Sequence, residues 1–117
     1  TILPGMVREG GEVTMPFGVM GGPYQAAGHG RLIANLATYG MELQAALDAP
    51  RCFAWDGELQ VERGYAQAVR EALAARGHDV VTPRVAIGGA QAIRIDPRTG
   101  LLTGASDPRK DGIALGY

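Results

Sequence analysis

The residues best suited to chemistry are a glycine pair, Gly21-Gly22, that follows an apolar strand-like segment and precedes an amphipathic segment. Neither glycine has a Cβ atom, so the backbone can turn sharply there and approach another group closely. The helix expected next, from Tyr24 to Tyr39, would begin with unpaired N–H groups and the positive end of its dipole. The pattern predicts an anion site for an oxyanion, carboxylate or phosphate, and the alternative is a tight turn without a ligand.

Two side chains border this turn. Met20 immediately precedes the glycine pair, at a position suited to substrate contact. Tyr24 comes shortly after the pair, so its ring either lines a substrate pocket or is the first core residue of the helix. Both residues are therefore candidates for substrate binding.

Other motifs with known chemistry do not fit the chain. The glycines do not match a dinucleotide fingerprint, and no lysine follows them as a phosphate-binding loop requires. His29 and His78 are far apart without carboxylates at metal-ligand spacing, which favours structural or surface roles. Cys52 opens an apolar strand and reads as a small buried hydrophobe. We therefore predict no metal and no cofactor.

The elements that would position the glycine turn are strands and helices predicted in the order ββ, αα, ββ, α, βββ. Strand pairs separated by helix pairs predict an α+β fold, a layered antiparallel sheet with helices. The predicted elements are strands at Met6-Val7 and Val13–Val19, helices at Tyr24–Tyr39 and Glu42–Leu47, strands at Cys52–Trp55 and Glu58–Glu62, a helix at Tyr65–Arg76, and strands at Val80-Val81, Ala90–Ile95 and Leu101–Ala105.

Composition limits the class of protein. The 117 residues are 46% hydrophobic, which predicts a single domain over residues 1–117 with a core of its own. A formal net charge of -1 gives no basic surface for a nucleic acid. No apolar run approaches the roughly 20 residues of a membrane helix. Arginine outnumbers lysine ten to one, which hints at a bacterial source but leaves the compartment unknown.

The chain resembles the gamma-glutamyltransferase (gamma-glutamyltranspeptidase) family in three blocks that together cover nearly all of it. These blocks are Met20–His29, Tyr39–Arg51, and the C-terminal region with Gly89–Ile93, Asp96–Gly100, Gly104–Gly112 and Gly116-Tyr117. Their order and spacing resemble the C-terminal part of the family's small subunit.

The resemblance implies an N-terminal-nucleophile hydrolase with an αββα sandwich, made as a precursor that cuts itself into a large and a small subunit. The new N-terminal threonine of the small subunit attacks a γ-glutamyl amide, with its own α-amine as general base. The acyl group then passes to water or to an amine. By the same resemblance Gly21 and Gly22 form the oxyanion hole.

Thr1 is not the nucleophile that this resemblance implies. In the family the catalytic threonine lies well upstream of the glycine pair, with a serine pair and an aspartate between them, whereas only about twenty residues separate Thr1 from Gly21. We therefore expect a fragment that carries the oxyanion hole, is inactive alone, and needs the large subunit and the rest of the small subunit as partners. Its uncovered apolar faces predict self-association.

Classical members of the family have a serine-arginine pair after the glycines, whereas this chain has Pro23-Tyr24. In this respect the chain is similar to a broad bacterial group that includes amidohydrolases and acylases. The substrate expected is therefore a γ-glutamyl amide or a related acyl amide.

The charged residues of the C-terminal loop and around Pro50 are expected to tie segments together. The alternative function is a non-catalytic scaffold or binding module that retains the fold.

Overall fold

The structure is a computed structural model and describes residues 1–116, so Tyr117 of the closing Gly116-Tyr117 pair lies outside the described residues. The chain divides into two compact units, one formed by Thr1–Asp48 together with Gly88–Tyr117, the other by Ala49–Ile87. This division does not test the prediction that residues 1–117 form a single domain, which remains a prediction.

The elements follow the predicted order, with some shifted ends and a short 3-10 helix that the sequence did not predict. They are β1 (Ile2–Glu9), β2 (Glu12–Met20), α1 (Tyr24–Ala37), α2 (Leu43–Asp48), β3 (Cys52–Trp55), β4 (Glu58–Val61), α3 (Gln67–Ala75), β5 (Val80–Val81), β6 (Gly89–Ile95), β7 (Leu102–Ser106) and the 3-10 helix Pro108–Lys110. The first strand is much longer than Met6-Val7 because its pairing with β2 extends it in both directions.

The first unit is built on a four-stranded antiparallel sheet in the order β1-β2-β6-β7. Helices α1 and α2 contact this sheet, mainly through β2 and β7. The core of the unit consists of apolar side chains that are at most 5% exposed: Met15, Val19, Tyr24, Leu32, Leu43, Ala46, Leu47, Ala90, Ala92 and Ala105. The α+β class with an antiparallel sheet and helices is confirmed.

A β-bulge interrupts the pairing of β1 with β2. Val7 pairs with Met15 and Arg8 pairs with Val13, so Thr14 is an extra residue on β2. Because the bulge breaks the alternation of faces, the neighbours Thr14 and Met15 are both buried.

The second unit contains the sheet β3-β4-β5 and helix α3. Strands β3 and β4 form an antiparallel hairpin around Asp56-Gly57, as predicted. Strands β4 and β5 pair in parallel, with Leu59 opposite Val80, so a purely antiparallel arrangement is wrong for this unit. The reason is the intervening helix α3, because a helical crossover returns the chain in the same direction.

Candidate functional site

The glycine pair forms a tight turn between β2 and α1. Gly21 has a φ of +128° and Gly22 a φ of +56°, values that side chains of L-residues rarely permit. Gly21 also packs against a third glycine, Gly88, because a Cβ atom on Gly21 would lie 2.7 Å from the Cα of Gly88. The turn therefore requires glycine at position 21 for two separate reasons.

The backbone N–H groups of this turn differ in whether they have an acceptor. The N–H groups of Tyr24 and Gln25 donate to the carbonyl oxygens of Gly21 and Gly22, both at 3.1 Å, and Pro23 has no N–H. Among residues 1–116, the N–H groups of Gly21 and Gly22 form no hydrogen bond, and both glycines are exposed. The N–H groups of Gly21 and Gly22 are thus two adjacent donors available for an acceptor.

The ring of Tyr24 supports the turn from inside the unit. Tyr24 is only 3% exposed. A Cβ atom on Gly88 would lie 2.5 Å from Cδ1 of its ring, and one on Gly28 would lie 2.7 Å from Cε1. The ring occupies the space that both glycines leave, as expected for a core residue at the start of the helix. The substrate contact proposed for Tyr24 stays a prediction.

Met20 is the last residue of β2 and lies between two neighbouring strands. It pairs with Ile2 of β1 and with Gly89 of β6, and its side chain is half-buried. The pairing fixes the position from which the chain enters the glycine turn. Its contact with a substrate stays a prediction as well.

The pairing of Ile2 with Met20 also brings Thr1 to the glycine end of the sheet. The carbonyl oxygen of Thr1 accepts a hydrogen bond of 3.0 Å from Nε2 of Gln25, in the first turn of α1. Thr1 is exposed. Although about twenty residues separate Thr1 from the glycine pair in sequence, the sheet places them side by side, which the spacing alone did not indicate.

A buried carboxylate anchors β6, the strand that begins at Gly89 and follows Gly88. Asp107 is 0% exposed, and its carboxylate accepts hydrogen bonds from the backbone N–H of Ala90 at 2.8 Å and that of Arg109 at 3.0 Å. The guanidinium of Arg109 pairs with Asp107 at 3.2 Å and donates to the carbonyl oxygen of Leu47 at 3.0 Å. The charged pair ties the C-terminal loop to β6 and α2, as the sequence predicted.

His29 and Arg51 have structural partners within their own units. Nε2 of His29 lies 2.9 Å from the carbonyl oxygen of Leu3, and its ring packs 4.7 Å from that of Phe17. Arg51 is buried and donates to the carbonyl oxygen of Ile87 at 2.7 Å. In the part of the chain that the structure describes, no group of three His, Cys, Asp or Glu side chains could hold a metal ion.

Sequence reasoning missed Gly88 and its neighbour Gly89 as parts of the site. The signal was a second glycine pair in the chain, but its partner across the sheet could not be read from spacing.

Within residues 1–116, no helix combines the length and apolarity that crossing a membrane requires.

Residues 1–117 match the sequence profile of the gamma-glutamyltranspeptidase family. The acylase ACY 1 proenzyme of Pseudomonas sp. (strain SE83) is 40% identical over 113 residues, covering 96% of this chain and 20% of that protein. The crystal structure of cephalosporin acylase from Bacillus halodurans matches with a TM-score of 0.88 at 38% identity, covering 97% of this chain and 22% of that chain. The T380A mutant of Helicobacter pylori gamma-glutamyltranspeptidase matches with a TM-score of 0.83 at 29% identity, covering 93% of this chain and 61% of that chain.

The fold is that of part of an N-terminal-nucleophile hydrolase, as predicted. The chain belongs to the gamma-glutamyltranspeptidase family. It spans about a fifth of the length of the curated acylase that it matches.

Proposed function

We propose that this chain supplies the oxyanion hole of an enzyme that cleaves γ-glutamyl or related acyl amides through an acyl-enzyme. The observation that carries the proposal is the pair of adjacent, exposed N–H groups of Gly21 and Gly22, which have no partner among residues 1–116. Two backbone donors held by a rigid turn suit one oxygen atom better than a three-oxygen phosphate. Among the anions that the turn could bind, membership of this family favours the oxyanion of an acyl-transfer reaction over a carboxylate or a phosphate.

The proposed reaction uses these donors when negative charge develops. A hydroxyl nucleophile attacks the amide carbonyl carbon, and the carbonyl oxygen becomes an oxyanion that accepts hydrogen bonds from Gly21 and Gly22. Collapse of this intermediate breaks the C–N bond, and the proton taken from the hydroxyl passes to the departing amine nitrogen. The acyl ester that remains is then released by water or by an acceptor amine. A preformed donor of this kind contributes about 3 kcal/mol of transition-state stabilisation in other acyl-transfer enzymes.

The nucleophile is proposed to come from a part of the parent protein that precedes this chain. Under this proposal residues 1–117 are the C-terminal part of the small subunit, with its remaining residues and the large subunit as partners. The match to a fifth of a proenzyme supports a larger parent. Thr1 lies beside the glycine turn, so a segment joined to it would emerge near the donors.

We propose that the enzyme accepts a range of acyl groups that is not limited to the γ-glutamyl group of glutathione. Two of the matched proteins are named acylases, and Pro23-Tyr24 follows the glycines. Hydrolysis of γ-glutamyl, glutaryl and oxamyl amides by the full-length parent would rank these substrates.

A matched pair of glycine variants in the full-length parent tests the oxyanion hole. Gly22→Ala has open space for a Cβ atom but strains a residue with φ of +56°, so relief of that strain would turn the donors. Gly30→Ala is the control, because Gly30 lies in α1 with equally open space and no positive φ. We expect kcat to fall about 100-fold for Gly22→Ala with KM nearly unchanged, and Gly30→Ala to behave as wild type.

Equal kinetics of the two variants would contradict the oxyanion role. The sequence upstream of Thr1 in the parent provides an independent check. A parent without a processed N-terminal threonine would instead support the non-catalytic scaffold.

A further inference from the structure

The first unit has a cavity of about 480 Å³ between the C-terminal half of α1 and the sheet. Apolar residues make up much of its lining: Val7, Met15, Ile33, Leu36 and Ala37. Met15 and Met20 are five residues apart on β2, which corresponds to about 17 Å along an extended strand. The cavity therefore lies at the end of the sheet that is remote from the glycine turn, and it is not part of the oxyanion hole proposed above.

The wall of the cavity includes a buried hydroxyl group without a partner. Thr14, the extra residue of the β-bulge, lines the cavity and is 7% exposed. Among residues 1–116, its Oγ1 atom has no hydrogen-bond partner. Burial of an unpaired polar group lowers stability, and bulges often redirect side chains next to functional sites. A ligand that bonds to Oγ1, after rotation about the Cα–Cβ bond, would remove this penalty.

A cation stands on the face of the sheet that packs against α1. Ala90 pairs with Val19, whose Cγ1 packs against Gly28 of α1. Ala90 and Ala92 are 2% and 3% exposed on this face, and Arg94 follows in the same alternation. Arg94 lines the cavity, is exposed, and among residues 1–116 its guanidinium forms no hydrogen bond or ion pair. The cavity thus has an unpaired positive charge at its mouth.

An anion lies on the opposite side of the mouth. Glu9, at the end of β1, lines the cavity and is exposed, and its carboxylate forms no hydrogen bond or ion pair among residues 1–116. It pairs with Glu12 across the hairpin. Directly opposed like charges repel each other, so an ammonium group beside Glu9 would relieve the repulsion. The other carboxylate of the lining, that of Asp96, is already engaged by Arg98.

The three polar side chains come from three neighbouring strands, because β2 lies between β1 and β6. Adjacent strands are about 4.8 Å apart, which puts the strands that carry Glu9 and Arg94 roughly 10 Å apart with Thr14 between them. In an amino acid the ammonium group and the carboxylate are bonded to one carbon atom. Such a head group bridges the gap that the two long side chains leave.

We infer that this cavity binds a free α-amino acid with a large apolar side chain. Its carboxylate pairs with Arg94 and accepts a hydrogen bond from Thr14, and its ammonium group pairs with Glu9. Its side chain lies between the sheet and α1, against Met15 and Ile33. A mainly apolar lining with a few polar groups is typical of small-ligand sites, and the volume is within their usual range. A segment of polypeptide suits these charges less well, because residues within a chain have neither a free ammonium group nor a free carboxylate.

Isothermal titration calorimetry of the full-length parent with L-phenylalanine tests this inference. We expect saturable binding with a Kd below about 1 mM. Two analogues each remove one charge, since hydrocinnamate lacks the ammonium group and phenethylamine lacks the carboxylate. Each should bind about tenfold more weakly, because a charge-assisted hydrogen bond is lost.

Three variants of the parent locate the binding. Arg94→Met and Glu9→Gln should each weaken phenylalanine binding about tenfold. Thr14→Val should weaken it as well, while the melting temperature stays the same or rises because the free enzyme loses an unpaired buried hydroxyl. Arg8→Met is the control for the loss of a charge, since Arg8 is exposed, precedes Glu9 on β1 and projects from the other face of the sheet.

Equal affinity of the wild type and Arg94→Met would place the bound phenylalanine elsewhere, and equal weakening by Arg8→Met would show a general effect of charge. Either result refutes the site. Absence of binding to the wild-type parent would mean that the rest of the parent closes the cavity, and it would overturn the inference too. None of these measurements depends on cleavage of an acyl amide, so the acyl-transfer proposal is judged by its own assays.

Discussion

Gly21 and Gly88 are in contact through their backbones, so closely that neither position has room for a side chain. A Cβ atom on Gly88 would lie 2.5 Å from the carbonyl oxygen of Met20 and from the ring of Tyr24, and Gly88 has a φ of +62°. The glycine turn is therefore held in place also by Gly88, the residue that directly precedes β6.

The first prediction concerns the packing around Gly88. Gly88→Ala should destabilise the parent enzyme by about 2 to 4 kcal/mol, because it combines a clash with backbone and a strained φ. Chemical denaturation measures the change. Gly100→Ala in the β6–β7 hairpin is the control, since Gly100 has a φ of +74° but open space around it, so it reports the strain without the clash. Equal effects of the two substitutions would show that the close packing of Met20 and Tyr24 around Gly88 adds nothing.

The second prediction concerns the buried carboxylate of Asp107. Asp107→Asn retains one oxygen but places an NH₂ group among the N–H groups of Ala90 and Arg109, so a buried donor loses its acceptor. We expect a loss of about 2 to 4 kcal/mol in the free energy of unfolding. Asp111→Asn is the matched control, because Asp111 is exposed and its φ of 51° suits asparagine equally well. A melting temperature of Asp107→Asn equal to that of the control would contradict this account.

The third prediction separates the two roles considered for Tyr24. Tyr24→Leu should destabilise the parent by about 2 to 4 kcal/mol, because the ring fills the space beside Gly28 and Gly88. Tyr24→Phe keeps the ring, so we expect a folded enzyme whose KM for acyl anilides changes less than threefold. A large rise in KM for Tyr24→Phe with an unchanged melting temperature would instead establish substrate contact through the hydroxyl group.

The fourth prediction concerns catalysis by the isolated chain. The polypeptide of residues 1–117 should not hydrolyse a chromogenic γ-glutamyl anilide above the rate of the uncatalysed reaction. The structure makes this test necessary, because it places Thr1 beside the glycine turn. Robust turnover that Thr1→Ala abolishes would identify Thr1 as the nucleophile and refute the proposed fragment.

The fifth prediction concerns self-association of the isolated chain. Large apolar side chains in the first unit are exposed by 42% or more at Ile2, Leu3, Met6, Ile93, Leu101, Leu102, Ile113 and Leu115. Their exposure to water favours association, so light scattering should show oligomers whose mass increases with concentration. A monodisperse monomer across that range would count against it.

The order of the elements was readable from the sequence because turn glycines and apolar periodicity are local signals. The hairpin around Asp56-Gly57 and the start of α1 after Gly22 were predicted in this way. The parallel pairing of β4 with β5 was not, because it depends on how α3 returns the chain. Neither sequence distance nor composition shows which strands become neighbours.

The candidate site was only partly readable for the same reason. Gly21 and Gly22 were singled out by their position between a strand and a helix. Gly88 was not, because it reaches Gly21 only where β6 pairs with β2, across more than sixty residues of sequence. The role of Asp107 was predicted as a tie between segments, but its bond to Ala90 required the structure.

The packing of Tyr24 against Gly28 and Gly88 has a consequence for how the sequence can diverge. A methyl group at either glycine would need the volume that the ring now fills. Related sequences should therefore have a larger residue at position 28 only where position 24 is smaller, whereas position 88 stays glycine because the carbonyl oxygen of Met20 and the φ of +62° exclude a side chain there. Such covariation would show that packing beneath the glycine turn is maintained across the family, whatever substrate each member uses.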